Sequence, residues 1–223
     1  MTRERPGLAF ELELWAAGLR AVAGVDEVGR GALAGPVVAA AVILPPHTDA
    51  VAPLLGRVDD SKQLTSRQRE ALFDDIVRTA LAVGVGRCEA CDIDAWGIVP
   101  ATRRAMMLAL AALPSPPDYV LLDFLTLPDL ICSQRGIPHG DALSLSIAAA
   151  SVVAKVTRDR WMCEQERDFP GYGFSRHKGY ATELHRDAIG RMGACSLHRM
   201  SFAPLAAGPD AADLALFDDE AMD

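Results

Sequence analysis

No stretch of this 223-residue chain is apolar and uncharged over the roughly 20 residues needed to cross a bilayer. The N-terminal MTRERPGLAFELELW carries basic residues, but Glu11 and Glu13 interrupt what would be the apolar part of a signal peptide. A cytoplasmic protein with no membrane partner is therefore expected. Paired cysteines are scarce as well. The five cysteines, Cys88, Cys91, Cys132, Cys163 and Cys195, are an odd set in a chain large enough to fold without disulfides, so reduced structural thiols are expected. Cys88 and Cys91 form one CxxC, the pattern of a redox pair or of half a zinc site, and no second pair stands at metal-ligand spacing to complete the latter.

Positive charge is short too, with a formal net charge of −8, but the deficit is local. Residues 204–223 hold six acids (Asp210, Asp213, Asp218, Asp219, Glu220, Asp223) and no Lys or Arg. Setting those six aside leaves 24 acids against 22 bases, a net of −2 over the rest. Acids that bind divalent cations would reduce this further, so charge neither supports nor excludes a nucleic-acid partner. A dinucleotide-binding motif is also missing: Gly29-Arg30-Gly31 follows two acids, and no third glycine opens a helix after it.

What is present centres on residues 22–36, VAGVDEVGRGALAGP. An apolar run ends in Asp26 and Glu27, a flexible turn carrying Arg30 follows, and a second apolar run occupies 37–44. The spacing predicts strands at about 21–26 and 36–44, joined as an antiparallel hairpin, with further strands at 81–87, 119–123 and near Ile131. Helices are predicted over 8–19 (with Leu8, Leu12, Trp15 and Leu19 on one face), from Thr65 or Ser66 to about 79, over 92–113, over 142–167 and over 182–192. There is no internal repeat. With 50% hydrophobic residues the chain can bury a substantial core, and strands followed by alternating strands and helices indicate a mixed-sheet α/β domain.

Four acids stand where elements begin or end. Asp123 closes the apolar run 119–122, and Asp141 stands at the start of the long helix after Gly140. Each has an ordinary structural explanation: Asp141 as a helix N-cap, the others as polar residues where a strand meets solvent. Together, two strand ends and a helix start can converge on one sheet edge. Clustered carboxylates repel unless a cation joins them, and oxygen-only ligands suit Mg2+ or Mn2+. Adjacent strand residues face opposite ways, so Asp26 and Glu27 share a site only if the backbone bends or twists there.

Five motifs then appear in order: AGVDEVGRG at 23–31, DSK at 60–62 with Leu64, LLD at 121–123, GDALSLSIAAASVVAKVTRD at 140–159 and YGFSRHKGY at 172–180. In these the chain resembles the ribonuclease HII family over roughly residues 14–204. The resemblance implies an α/β, ribonuclease H-like fold with a mixed, roughly five-stranded sheet flanked by helices, plus a small C-terminal helical extension. It divides the chain into a catalytic domain at 1–168 (with an N-terminal helix at 1–20), a helical segment packed on the site at 169–204, and an acidic tail at 205–223. It implies a Mn2+- or Mg2+-dependent endoribonuclease whose ligands are Asp26, Glu27, Asp123 and Asp141. The expected substrates are RNA–DNA hybrids and duplex DNA containing ribonucleotides, cut 5′ of the ribonucleotide to leave 3′-hydroxyl and 5′-phosphate ends. Gly29, Arg30 and Gly31 would read the 2′-hydroxyl, and Tyr180 would pack on the sugar at the junction. Lys62 would contact phosphate, or be a solvated loop lysine. Lys155 and Arg158 would contact phosphates, or pair with Asp159 and Glu164 on a solvated face. His177 and Lys178 would pack or contact phosphate. A monomer is expected.

The chain departs from the family pattern at His139, where Lys is usual, and at Phe124, where a small residue such as Gly is common. Arg30, and no further domain before Ala21, favour ribonuclease HII over ribonuclease HIII. A catalytically silent hybrid-binding module would have to keep four unneutralised carboxylates together. The tail composition reads as disordered, yet DLALF at 213–217 resembles the short Gln-Leu-x-Leu-Phe peptide that binds the bacterial sliding clamp, with Asp213 in place of Gln.

Overall fold

The computed structural model describes residues 6–52, 54, 57 and 65–207. Five strands, β1 Val22–Val28, β2 Val37–Ile43, β3 Ala82–Cys88, β4 Tyr119–Asp123 and β5 Gln134–Ile137, form one sheet in the order β3-β2-β1-β4-β5. β2 runs antiparallel to both β1 and β3, while β1 pairs β4 and β4 pairs β5 in parallel. The helices among the described residues are α1 Ala9–Ala16, α2 Thr48–Val51, α3 Ser66–Thr79, α4 Ala90–Trp96, α5 Ile98–Ala111, α6 Gly140–Leu143, α7 Leu145–Asp168, α8 Phe174–His177 and α9 Glu183–Met192. None is long and apolar enough to cross a membrane.

The sheet is covered on both faces. β2, VVAAAVI, is buried along its whole length because α5 lies on one side and α7 on the other. Ala39 and Ala41 meet Ala105, Met106 and Ala109 of α5, whereas Ala40 and Val42 meet the alanine-rich face of α7. α7 sits so close to β1 that a Cβ on Gly24 would lie 2.2 Å from the Ser146 carbonyl carbon. That contact sets the height of α7 above the end of β1.

Several elements differ from the sequence expectation, each for a local reason. The fifth strand lies at Gln134–Ile137, and Ile131 is an exposed loop residue. β5 is a short polar edge strand in which only Ile137 is buried, so periodicity has nothing to report there. The stretch 92–113 is two helices separated by Gly97, whose φ of 82° suits glycine. The long helix starts at Leu145, capped by the Ser144 side chain, after the separate turn α6. Thr65 caps α3 in a reciprocal capping box with Gln68, as the sequence indicates. α1 buries Glu11 rather than Leu12, which is exposed. Glu11 Oε1 accepts from Ser144 Oγ (2.6 Å), Ser146 N (2.9 Å) and Ser146 Oγ (2.7 Å), a carboxylate on the positive end of α7.

Candidate active site

β1 and β4 are adjacent parallel strands whose carboxyl ends part company, and the gap between those ends forms a crevice. Their pairing stops at Val25↔Leu122, so Asp26, Glu27 and Asp123 lie just beyond the last rung. β1 continues, paired only with β2, through Asp26↔Ala40 and Glu27↔Ala39 to Val28. The edge facing β4 is thus unpaired at both acids, and residues of opposite facing flank the same opening. No bulge interrupts β1 there, and each of the two acids contributes to the other's surroundings or to those of Asp123. The carboxyl ends of parallel strands are also where α/β folds commonly bind ligands.

Asp141 enters from α6, in whose first turn it lies. It is not a helix N-cap: His139 and Ser144 hold the cap positions of α6 and α7. The start of α6 is fixed by Asp123, whose Oδ1 accepts from Gly140 N at 2.8 Å. Asp26 Oδ1 accepts from Glu27 N at 2.7 Å, and its carboxyl is hydrogen-bonded to Ser151 of α7. Glu27 Oε1 accepts from Arg30 Nη1 at 3.1 Å. Glu27 Oε2 is buried and has no hydrogen-bond partner among the described residues.

Asp26 and Glu27 both carry the mark of their acidic neighbours. Burial, then the charges of Glu27, Asp123 and Asp141, push the Asp26 carboxyl well above the usual carboxylate range, against the Ser151 hydrogen bond. Burial also raises Glu27, with Asp123 adding to it and Arg30 opposing it. As they stand, no three acidic, histidine or cysteine side chains among the described residues enclose an ion. The cluster nevertheless offers oxygen donors only, and Glu27 Oε2 is a buried acceptor with nothing to accept from. That donor set fits a hard divalent cation such as Mg2+ or Mn2+.

Next to the acids, Gly29 has φ +87°, and a Cβ there would meet Arg158 Nε at 2.2 Å. Gly31 is exposed, and a Cβ added to it would meet nothing within 4 Å. Tyr180 is half-buried, with Lys155 Nζ 5.4 Å and Arg158 Cζ 5.3 Å from its ring centroid. Lys155 pairs with Asp159 at 2.9 Å. Arg158 is fully buried and reaches neither solvent nor a carboxylate, contrary to both sequence alternatives: it donates to the carbonyls of Pro36 (2.9 Å), Ala34 (3.0 Å) and Lys178 (2.9 Å). His177 is buried and packs, while Lys178 Nζ donates to the Ser175 carbonyl. Asp60, Ser61, Lys62 and Leu64, like residues 213–217, lie outside the described residues. Cys88 is buried and Cys91 exposed, both unpaired, and burial pushes the Cys88 thiol up to about 11.

Sequence reasoning missed Ser151, Arg199 and the buried character of Arg158. Ser151 stood inside a matched motif, and a serine amid small apolar residues was its only signal. Arg199 gave none, because a lone Arg near a C-terminus reads as a surface residue. The two exposed departures, Phe124 (φ 57°) and His139 (φ 56°), both stand in the left-handed region, which glycine adopts without strain; this accounts for a glycine being common at the first position, and nothing in the structure explains the Phe or the His.

A family model described as Ribonuclease HII matches residues 23–205. The chain belongs to the ribonuclease HII family. Ribonuclease HII of Geobacillus thermodenitrificans is 55% identical to it over 198 residues, 89% of this chain and 74% of that one. The ribonuclease HII fold is equally clear among solved structures. The PCNA:RNase HII complex from Archaeoglobus fulgidus gives a TM-score of 0.64 at 26% identity, covering 81% of this chain and 92% of that one. Bst-RNase HIII in complex with Mn2+ gives 0.65 at 22% identity, covering 84% and 68%, a likeness of fold. The mixed five-stranded sheet flanked by helices is ribonuclease H-like, and the chain is a metal-dependent nuclease of the hydrolase class.

Proposed function

We propose that this protein is an endoribonuclease that cuts the RNA strand of RNA–DNA hybrids and incises 5′ of ribonucleotides embedded in duplex DNA, leaving 3′-hydroxyl and 5′-phosphate ends. The observation that carries it is the crowding at the ends of β1 and β4, where Asp26 is raised by burial and three neighbouring carboxylates and Glu27 keeps a buried, unpartnered oxygen. Four acids held this way are costly alone and fit cations shared among them. Asp26, Glu27, Asp123 and Asp141 would hold two Mg2+ or Mn2+ ions; Mn2+ is the ion in the complex of the ribonuclease HIII relative. When bound, such ions supply an activated water and stabilise the leaving oxygen of a phosphodiester. Arg30 fixes one oxygen of Glu27 and leaves the other buried without a partner, free to take up a cation. Asp123 holds α6, and so Asp141, at the correct height through Gly140.

Sugar choice rests on the turn beside the acids. Gly31 has neither a positive φ nor an internal neighbour that would exclude a side chain. What remains is close approach of a ligand to the backbone, which fits reading of a 2′-hydroxyl by Gly29, Arg30 and Gly31. Tyr180 packs on the sugar at the RNA-to-DNA junction, and Lys62 contacts phosphate. The protein acts in the cytoplasm as a monomer, where five unpaired cysteines are at home.

The test is incision of a labelled duplex carrying one ribonucleotide, with Mg2+ or Mn2+. A single cut 5′ of the ribonucleotide, abolished by EDTA, is expected; an intact duplex with both metals overturns the proposal. Gly31→Ala should leave the fold unchanged and lower kcat/KM on that duplex at least tenfold. For the tail, a ribonuclease HII relative was solved with PCNA, and we propose that residues 213–217 bind a sliding clamp weakly. Unchanged clamp affinity after deletion of residues 208–223 removes that partner.

A further inference from the structure

Arg199 is fully buried, and every hydrogen bond its side chain donates goes to a main-chain carbonyl of one short turn. Its Nε donates to Gly35 O (3.0 Å), Nη1 to Arg30 O (2.7 Å), and Nη2 to Gly29 O (2.6 Å) and Gly35 O (2.8 Å). Arg158 holds the far half of the same turn through Ala34 and Pro36, and reaches the motif carrying Tyr180 through Lys178 O. The Gly179 carbonyl closes the ring by accepting from Leu33 N (2.8 Å) and Ala34 N (3.2 Å). Two guanidiniums buried side by side without a carboxylate are unusual, since buried charges are normally paired with opposite charge. Here the planar fork of five donors is matched to carbonyl dipoles instead.

The consequence follows from peptide planarity. In a trans peptide the C=O of one residue and the N–H of the next point in opposite directions. Pulling the Gly29 and Arg30 carbonyls inward onto Arg199 therefore turns the Arg30 and Gly31 N–H groups outward. No hydrogen bond among the described residues engages either N–H. We infer that Arg199, backed by Arg158, is the positioning residue for sugar discrimination: it holds the 29–31 turn so that two backbone donors face the 2′-hydroxyl. This rests on the proposed reading of the turn and adds the residues that enforce it. Lysine in place of Arg199 keeps the charge but has a point donor rather than a fork, so it cannot hold three carbonyls in register.

The experiment uses the full chain and two duplexes identical except for one 2′-hydroxyl. Dissociation constants are measured by fluorescence anisotropy with Ca2+ present and the strand confirmed intact on a gel. Wild type should prefer the ribonucleotide duplex; equal affinities would sink the parent reading of the turn and not the role of Arg199 alone. Arg199→Lys should lose at least tenfold of that preference, while Mn2+ binding by calorimetry stays within twofold. A preference kept within twofold, even with a lowered Tm, makes Arg199 merely structural and overturns the inference. If Arg199→Lys does not fold, Asp94→Ala decides. Asp94 sits at the surface and accepts from Met200 N, Ser201 N and Ser201 Oγ, seating the segment beside Arg199. A loss of preference of about threefold in that variant supports the inference, and an unchanged preference overturns it.

Discussion

The crevice at the ends of β1 and β4 and the histidine layer beneath the C-terminal segment both bury ionisable groups, and they respond to burial in opposite ways. In the crevice, like charges are crowded and one buried oxygen is left without a partner. In the histidine layer every ring nitrogen is engaged. His177 Nδ1 accepts from Gly179 N (3.1 Å), which assigns its proton to Nε2, donating to Tyr172 O (2.9 Å). His198 Nδ1 accepts from Cys195 N (2.9 Å), so its Nε2–H donates to His185 Nε2 (3.1 Å), and His185 Nδ1–H donates to Tyr180 O (2.9 Å). A protonated ring would set donor against donor wherever a ring nitrogen now accepts, at Gly179 N, at Cys195 N and between His185 and His198. The crowded acids are costly without a counter-charge, whereas the histidine layer is satisfied when neutral and holds the loop that carries Gly179 and Tyr180.

The sharpest way to break this contrast is to neutralise one acid. Asp26→Asn keeps an oxygen for Glu27 N and removes a buried charge repelled by three neighbours. Incision should fall on the order of a thousandfold or more, while the Tm of metal-free protein rises. An activity assay beside a thermal melt in EDTA checks both; a fall in Tm would show that the crowding is not costly. Asp141→Asn should likewise abolish turnover while sparing the fold. His185→Phe should do the reverse. It fills the space but leaves His198 Nε2–H and Tyr180 O unpaired, costing about 2–4 kcal/mol. Urea unfolding should show that loss, with Mn2+ affinity unchanged.

Acid titration separates the regions without mutation. Burial, aided by His177, lowers His185 from 6.5 to about 4. Such a group contributes its stability above its unfolded pKa, and the contribution is lost as pH falls toward the folded value. Between pH 7 and pH 5 His185 alone should account for about 2 kcal/mol of lost stability, and His177 and His198, lowered in the same direction, add to it. Asp26 and Glu27 are raised, so their penalty is present above the folded pKa and is relieved on acidification. Wild-type Tm should therefore fall from pH 7 to pH 5 in EDTA. His185→Phe should flatten the fall, and Asp26→Asn should steepen it.

These regions also differ in how far the sequence revealed them. The four acids were legible because each stands at the end of an apolar run or the start of a helix, and β1, β2, β3 and β4 form where hydrophobic alternation or continuity indicates. β5 was misplaced because an edge strand reading QRGI has no apolar period. Arg158 was misread because it lies more than three turns along α7 among charged neighbours, where sequence alone cannot distinguish a solvated face from one covered by residues 34–36 and 178. Arg199 and the histidine layer depend on contacts across more than 100 residues or on tautomers fixed by main-chain groups, neither of which has a local pattern. Local chemistry shows in a sequence, and the scaffold that aims it does not.

The smallest effect concerns Phe124, which stands beside Asp123 in the left-handed region and is 69% exposed. A non-glycine residue there costs about 1–2 kcal/mol, and an exposed ring recovers little by packing. Glycine removes the strain but gives back about 0.5–1 kcal/mol through the freedom it adds to the unfolded chain. Phe124→Gly should therefore stabilise the protein by about 0.5 kcal/mol. Phe124→Ala, which keeps the Cβ and the strain, should not. Chemical denaturation of the three proteins side by side tests this. Equal stabilities for the Gly and Ala variants would mean that the backbone beside Asp123 carries no strain, and that the cost of this site lies in its charges alone.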